Sequence, residues 1–159
     1  MTTLLTIPYD IIAERAVLGS ILLERDAILA VSDQLRAEDF YLERHGYIYE
    51  AMLACLAHRV PPDLATVAGT LRRQERLEPI GGLTFLGELI VEVPTAVHVE
   101  YYAQMVIRTA TLRRLIEAGG TITALGYDER GELDVTLDRA EQTLFAVSQR
   151  QRGADFVPL

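Results

Sequence analysis

Between residues 93 and 126 the chain reads VPTAVHVEYYAQMVIRTATLRRLIEAGGTITALG, and this stretch limits what the rest can be. Pro94 opens it, and only the pair Gly119-Gly120 interrupts a helical composition as far as Leu125. One helix of roughly 30 residues would run about 45 Å at about 1.5 Å per residue. An ordinary globular helix has about 11 to 12 residues. A helix of that span overhangs any core that a chain of 159 residues can build, so part of it must find cover elsewhere.

Its apolar pattern changes along its length. Val99, Ala103, Val106 and Ala110 recur at three-to-four spacing and form a stripe that can lie on a core. Beyond Arg108 the stripe passes to Leu112, Leu115, Ile116, Gly119, Ile122 and Leu125, which need a different partner. Residues 134–149, DVTLDRAEQTLFAVSQ, supply one. Asp134 is of the type that caps a helix start, and Leu137, Ala140, Leu144 and Val147 follow at helical spacing. The polar loop GYDERGELD lies between, with Gly126 as the expected stop and Gly131 as a turn residue, so the pair reads as an antiparallel helical hairpin. A single hairpin seam leaves Phe145 and Met105 uncovered. Either the hairpin folds back on its own bundle, or a second copy covers it; the second is the expectation taken forward.

The preceding residues read as short helices joined by turns. Asp10 can cap IIAERAVLGSILLE, where Gly19 costs about 1 kcal/mol against Ala unless another helix crosses closely there. Further helices are expected over 26–35, 43–59, 63–74 and 83–93. Val60-Pro61-Pro62 ends the third helix, Asp63 caps the fourth, and Ile80-Gly81-Gly82 forms a turn before the last. No stretch alternates with period two. The fold class is therefore all-α: a compact helical bundle over 7–104, then a protruding antiparallel helical hairpin over 105–151. Residues 152–159, with the apolar ending FVPL, read as the start of a linker at a domain boundary.

Chemistry is sparse. The net charge of −8 opposes broad contact with phosphate backbones or anionic lipid. All 15 basic residues are arginine, so the chain cannot carry the lysine of a phosphate-binding P-loop. The single cysteine, Cys55, sits in an apolar helical run and reads as a core residue. His45, His58 and His98 form no metal-ligand pair and read as surface or capping residues. Asp10, Asp63 and Asp134 stand at helix starts, where capping accounts for them. No catalytic, cofactor-binding or metal-ligating residue is assigned, and the chain as it stands is not expected to be an enzyme. Neither a signal peptide nor an apolar run of about 18 residues is present, so the chain reads as cytoplasmic without membrane contact. Arg72-Arg73-Arg76 and Arg113-Arg114 could serve a small helical DNA-binding protein, the alternative function. They are interleaved with Glu75, Glu78 and Glu117 and read more simply as solvated faces. A metal-dependent hydrolase built on the three histidines is a third, weaker reading.

Several blocks together carry a family likeness. IPYDIIAERAVLGSILLE, DFYLERHGYIYEAM, PPDLATVAGTL, IGGLTFLGEL and VPTAVHVEYYAQMVIRTATLRRLI resemble, in order and spacing, the N-terminal domain of bacterial replicative DNA helicases of the DnaB type. FVPL resembles the beginning of the linker to that family's ATPase domain, and the likeness covers residues 7 to 159. His98 departs from the asparagine common in the family. The resemblance implies a six-helix globular part and a hairpin that pairs, so that six domains form a trimer-of-dimers collar. It implies docking of the helicase-binding domain of primase on Phe85, Ile116 and Ile122. It implies self-association through Leu112, Leu115, Leu137, Leu144 and Phe145. ATP and magnesium would belong to the ATPase domain, which this sequence lacks, and DNA would be met only indirectly.

Overall fold

Asp10 starts the first helix in the way its side chain allows. Its Oδ1 accepts from the amide of Ala13 at 2.9 Å, which satisfies one of the unpaired donors of the first turn. A computed structural model describes residues 5–155, with side chains as far as Arg150. Among these residues the regular structure is wholly helical. In order, the helices are α1 (Ile11–Leu23), α2 (Ala27–Val31), a 3-10 turn (Ala37–Asp39), α3 (Glu43–Ala57), α4 (Leu64–Arg73), α5 (Leu77–Ile80), α6 (Gly82–Val91), α7 (Val99–Tyr127) and α8 (Leu133–Asp155).

The chain divides into two compact units. One is residues 9–108; the other joins the N-terminal residues through Pro8 to residues 109–159. The boundary therefore falls inside α7, between Arg108 and Thr109.

The first unit is a bundle around Val17, Leu18, Ile21, Met52, Leu71 and Leu89, all without solvent contact. α1 packs on α6, and α3 on α4. Gly19 shows why a glycine belongs in the middle of α1. A Cβ there would fall inside van der Waals distance of the Leu89 carbonyl oxygen and 2.6 Å from Val93 Cγ2. The close crossing expected from the sequence is the contact of α1 with α6. Asp63 and Thr66 form a reciprocal capping box at the start of α4, each bond 2.9 Å. Val99, Ala103 and Val106 lie in the core, as their spacing predicts. Met105, expected to be uncovered, is half-buried against the same core.

Several boundaries differ from expectation, each for a local reason. The long helix begins at Val99, not beside Pro94, because the Thr95 hydroxyl accepts from the Val97 amide and sustains a turn. It continues through Gly119, Gly120 and Gly126 to Tyr127, so none of these glycines stops it. The stop comes at Asp128, whose Oδ1 accepts from the Arg130 amide at 3.1 Å. Asp134 is not the cap of α8. The helix begins at Leu133, and Glu132 supplies the carbonyl that accepts from Thr136, which leaves Asp134 in the first turn. α2 is half the expected length, since Ser32 and Asp33 favour turns over helix interiors. α5 was not expected; four residues are too few to show a period, and Pro79 is tolerated within a first turn. Gly81 and Gly82, at φ 113° and 71°, form the expected turn between α5 and α6. Residues 152–155, read as linker, are the last of α8, and Phe156 to Leu159 lie outside the described residues.

Candidate interaction surface

The buried polar groups of the first unit form a structural cluster. Glu14 is fully buried on α1, one turn before Leu18. Its Oε2 accepts from the Tyr41 amide at 2.7 Å, and its Oε1 lies 2.8 Å from His45 Nδ1. This carboxylate ties α1 to the start of α3 and has no access to solvent. His45 is thus a core residue, which corrects the surface or capping role expected for it; it sits beneath Phe85, with ring centroids 6.0 Å apart. Glu14 escaped the sequence reading, although it belongs to the i, i+4 row of Leu18 and Leu22. His58 and His98 are exposed at a helix end and a helix start, as expected for capping positions. Among the described residues no three His, Cys, Asp or Glu side chains gather as a metal site would require. Cys55 is buried and unpaired, 3.6 Å from the Thr70 hydroxyl.

The second unit presents a different surface. Ala110 and Ala118 are buried on α7. At about 100° per residue Ile116 lies about 200° around the helix from Ala118, on the opposite face. Leu115, Ile116, Leu137, Leu144 and Phe145 expose between 47% and 56% of their area. Leu112 and Ile122 are half-buried. All seven are on the hairpin helices, and five of them remain largely open to water. Phe85, the eighth residue singled out from the sequence, is only 6% exposed. It packs between His45 and the guanidinium of Arg44, which lies 4.3 Å from its ring centre.

Two of the arginines singled out from the sequence, Arg76 and Arg113, are engaged within the protein. Arg76 reaches Glu50 at 3.4 Å and lies over the Tyr47 ring. Arg113 Nη1 donates to the Pro8 carbonyl at 2.8 Å. Arg15 and Glu92 form a two-pronged pair, with Nε to Oε2 at 2.8 Å. The hydrogen bond from Arg15 holds the Glu92 carboxyl below its ordinary range. No helix among the described residues is long and apolar enough to cross a membrane.

Taken together, these features define an all-helical domain, among the described residues, with an open apolar surface on its last two helices. Residues 6–108 match the family described as the DnaB-like helicase N terminal domain. The replicative DNA helicase DnaB of Leifsonia xyli subsp. xyli is 39% identical over 97% of this chain and 34% of its own length. That of Geobacillus stearothermophilus is 44% identical over 94% of this chain and 33% of its own length. The crystal structure of the N-terminal domain of DnaB helicase from Mycobacterium tuberculosis superposes with a TM-score of 0.84 at 40% identity, covering 89% of this chain and 99% of that one. The chain belongs to the DnaB-like helicase N-terminal domain family. It spans about a third of the length of these two relatives.

Proposed function

We propose that this domain builds the collar of a hexameric replicative helicase by pairing its hairpins, and that the collar docks primase during DNA replication. The observation that carries the reading is the open apolar face of the hairpin. Covering the exposed half of a leucine or phenylalanine is worth on the order of 1 kcal/mol. Leu115, Leu137, Leu144 and Phe145 on each of two copies give on the order of 8 kcal/mol. Association itself costs roughly 4–15 kcal/mol. The isolated domain therefore pairs weakly, and a ring that holds copies together supplies the effective concentration that completes assembly. The pairing seam is Leu112, Leu115, Leu137, Leu144 and Phe145; the primase-facing residues are Ile116 and Ile122 on the hairpin and Phe85, which is buried in the bundle. Without lysine the domain has no P-loop, so ATP and magnesium act in another domain of the intact helicase, and DNA is met only indirectly. The cellular setting is the cytoplasm, where replication proceeds.

Sedimentation velocity over a concentration series tests the first part. Wild type moves from monomer toward dimer between micromolar and millimolar concentration, and Leu144→Asp stays monomeric. Calorimetric titration with the helicase-binding domain of primase tests the second; Ile116→Asp weakens it at least roughly tenfold, about 1.4 kcal/mol. A concentration-independent monomer, or no heat at tens of micromolar, counts against the corresponding half of the proposal.

A further inference from the structure

The loop between α6 and α7 borders a surface groove of ≈ 540 Å³ on the first unit, lined by none of the residues assigned above. Its apolar lining comes from Leu23, Ala27, Ala30, Pro94, Ala96 and Val97. Val97 is 78% exposed beside the other apolar residues of the lining. Leu29, in the same short helix as Ala27 and Ala30, is also exposed. The groove is thus an open apolar surface contributed by two separate chain segments, residues 23–30 and 94–100.

The charges around it all have one sign. Glu24, Asp26 and Glu100 line the groove, and no arginine does. None of the three carboxylates has an ion-pair partner among the described residues. Glu92 and Glu50, by contrast, are paired with Arg15 and Arg76. An apolar floor with an unneutralised acidic rim repels nucleic acid and anionic membrane alike. A second copy docked through this same face would set like charges against one another.

We infer that this groove docks a basic amphipathic helix of a partner protein, with its apolar face on Ala27, Ala30 and Val97 and its arginines or lysines against Glu24, Asp26 and Glu100. The mode is helix in groove, in which buried apolar anchors give affinity and rim charges set orientation and association rate. None of the residues lining the groove is among those assigned to pairing or to primase docking.

The test uses the whole chain and a synthetic peptide of about 15 residues with leucine at helical spacing and arginine on both flanks. A scrambled peptide of the same composition is the control. Amide shifts in a two-dimensional NMR titration are expected to concentrate in residues 23–30 and 94–100. The scrambled peptide is expected to bind roughly tenfold more weakly, since it carries the charge without the apolar face. Val97→Asp, a surface loop change that leaves the core untouched, weakens binding by a similar factor. Glu100→Arg does so with a reduced salt dependence. Shifts scattered over the acidic surface, equal binding of the scrambled peptide, or indifference to Val97→Asp would overturn the inference. So would concentration-dependent shifts at these residues without peptide, which would make a second copy the occupant.

Discussion

Replacing Gly19 with alanine puts the packing of α1 on α6 to a direct test. In an unconstrained helix interior this change stabilises by about 1 kcal/mol, because alanine has less backbone freedom to lose. Here the new methyl would overlap the Leu89 carbonyl and lie 2.6 Å from Val93 Cγ2. Ordinary carbon contacts begin near about 3.5 Å, so α6 must retreat by close to 1 Å along a fully packed face. Overpacking of this kind costs about 1–3 kcal/mol, and more where the obstacle is backbone. The carbonyl cannot rotate aside as a side chain could. The net expectation is a loss of about 2 kcal/mol after the propensity gain. With a urea slope near 2 kcal/mol/M, the unfolding midpoint falls by about 1 M. Gly87→Ala is the matched control. It lies inside α6 in the same unit, and a Cβ there meets nothing within 4 Å. It is expected to raise the midpoint, by about 0.5–1 kcal/mol of stability. Urea melts followed by circular dichroism read both. The reasoning fails if Gly19→Ala is neutral or stabilising, or if the two variants shift in the same direction.

Other expectations follow from single contacts. Glu14→Ala strands the Tyr41 amide and His45 in the core and is expected to cost about 3 kcal/mol, whereas Glu14→Gln, which keeps an acceptor oxygen, costs less in the same melts. Glu92 has a carboxyl pKa lowered in the fold by Arg15, so its contribution is present above the unfolded value and is lost as pH falls through the lower folded value. Glu92→Gln therefore narrows the stability difference from wild type below about pH 4; the difference at neutral pH stays under about 1 kcal/mol because the pair is solvent-screened. Phe85→Ala empties a packed site and costs about 3 kcal/mol. Any loss of primase binding in that variant must therefore be compared with its melting curve. Ile116→Asp, on an open face, leaves the melting curve unchanged.

Residue types and spacing determined more of this chain than its charge did. Asp10 and Asp63 mark helix starts because a short carboxylate can reach the unpaired amides of the next turn, a local fact that needs no tertiary information. The stripe of Val99, Ala103 and Val106 is legible because burial of one helix face imposes a period near 3.6. The ordered blocks also carried the family. What the sequence could not decide depended on groups far apart along the chain. Asp134 has the right type for a cap yet lies inside α8, because Asp128 closes the preceding turn with its own side chain and shifts where the next helix begins. Phe85 resembles a surface contact residue, yet only packing by Arg44 and His45 makes it a core residue. His45 reads as a surface position and Glu14 escapes notice; their burial follows from the meeting of α1 with the start of α3, where the two share a hydrogen bond. Local chemistry fixes where helices can start. Only the tertiary structure decides which polar groups are sealed together and which apolar faces stay open to another molecule.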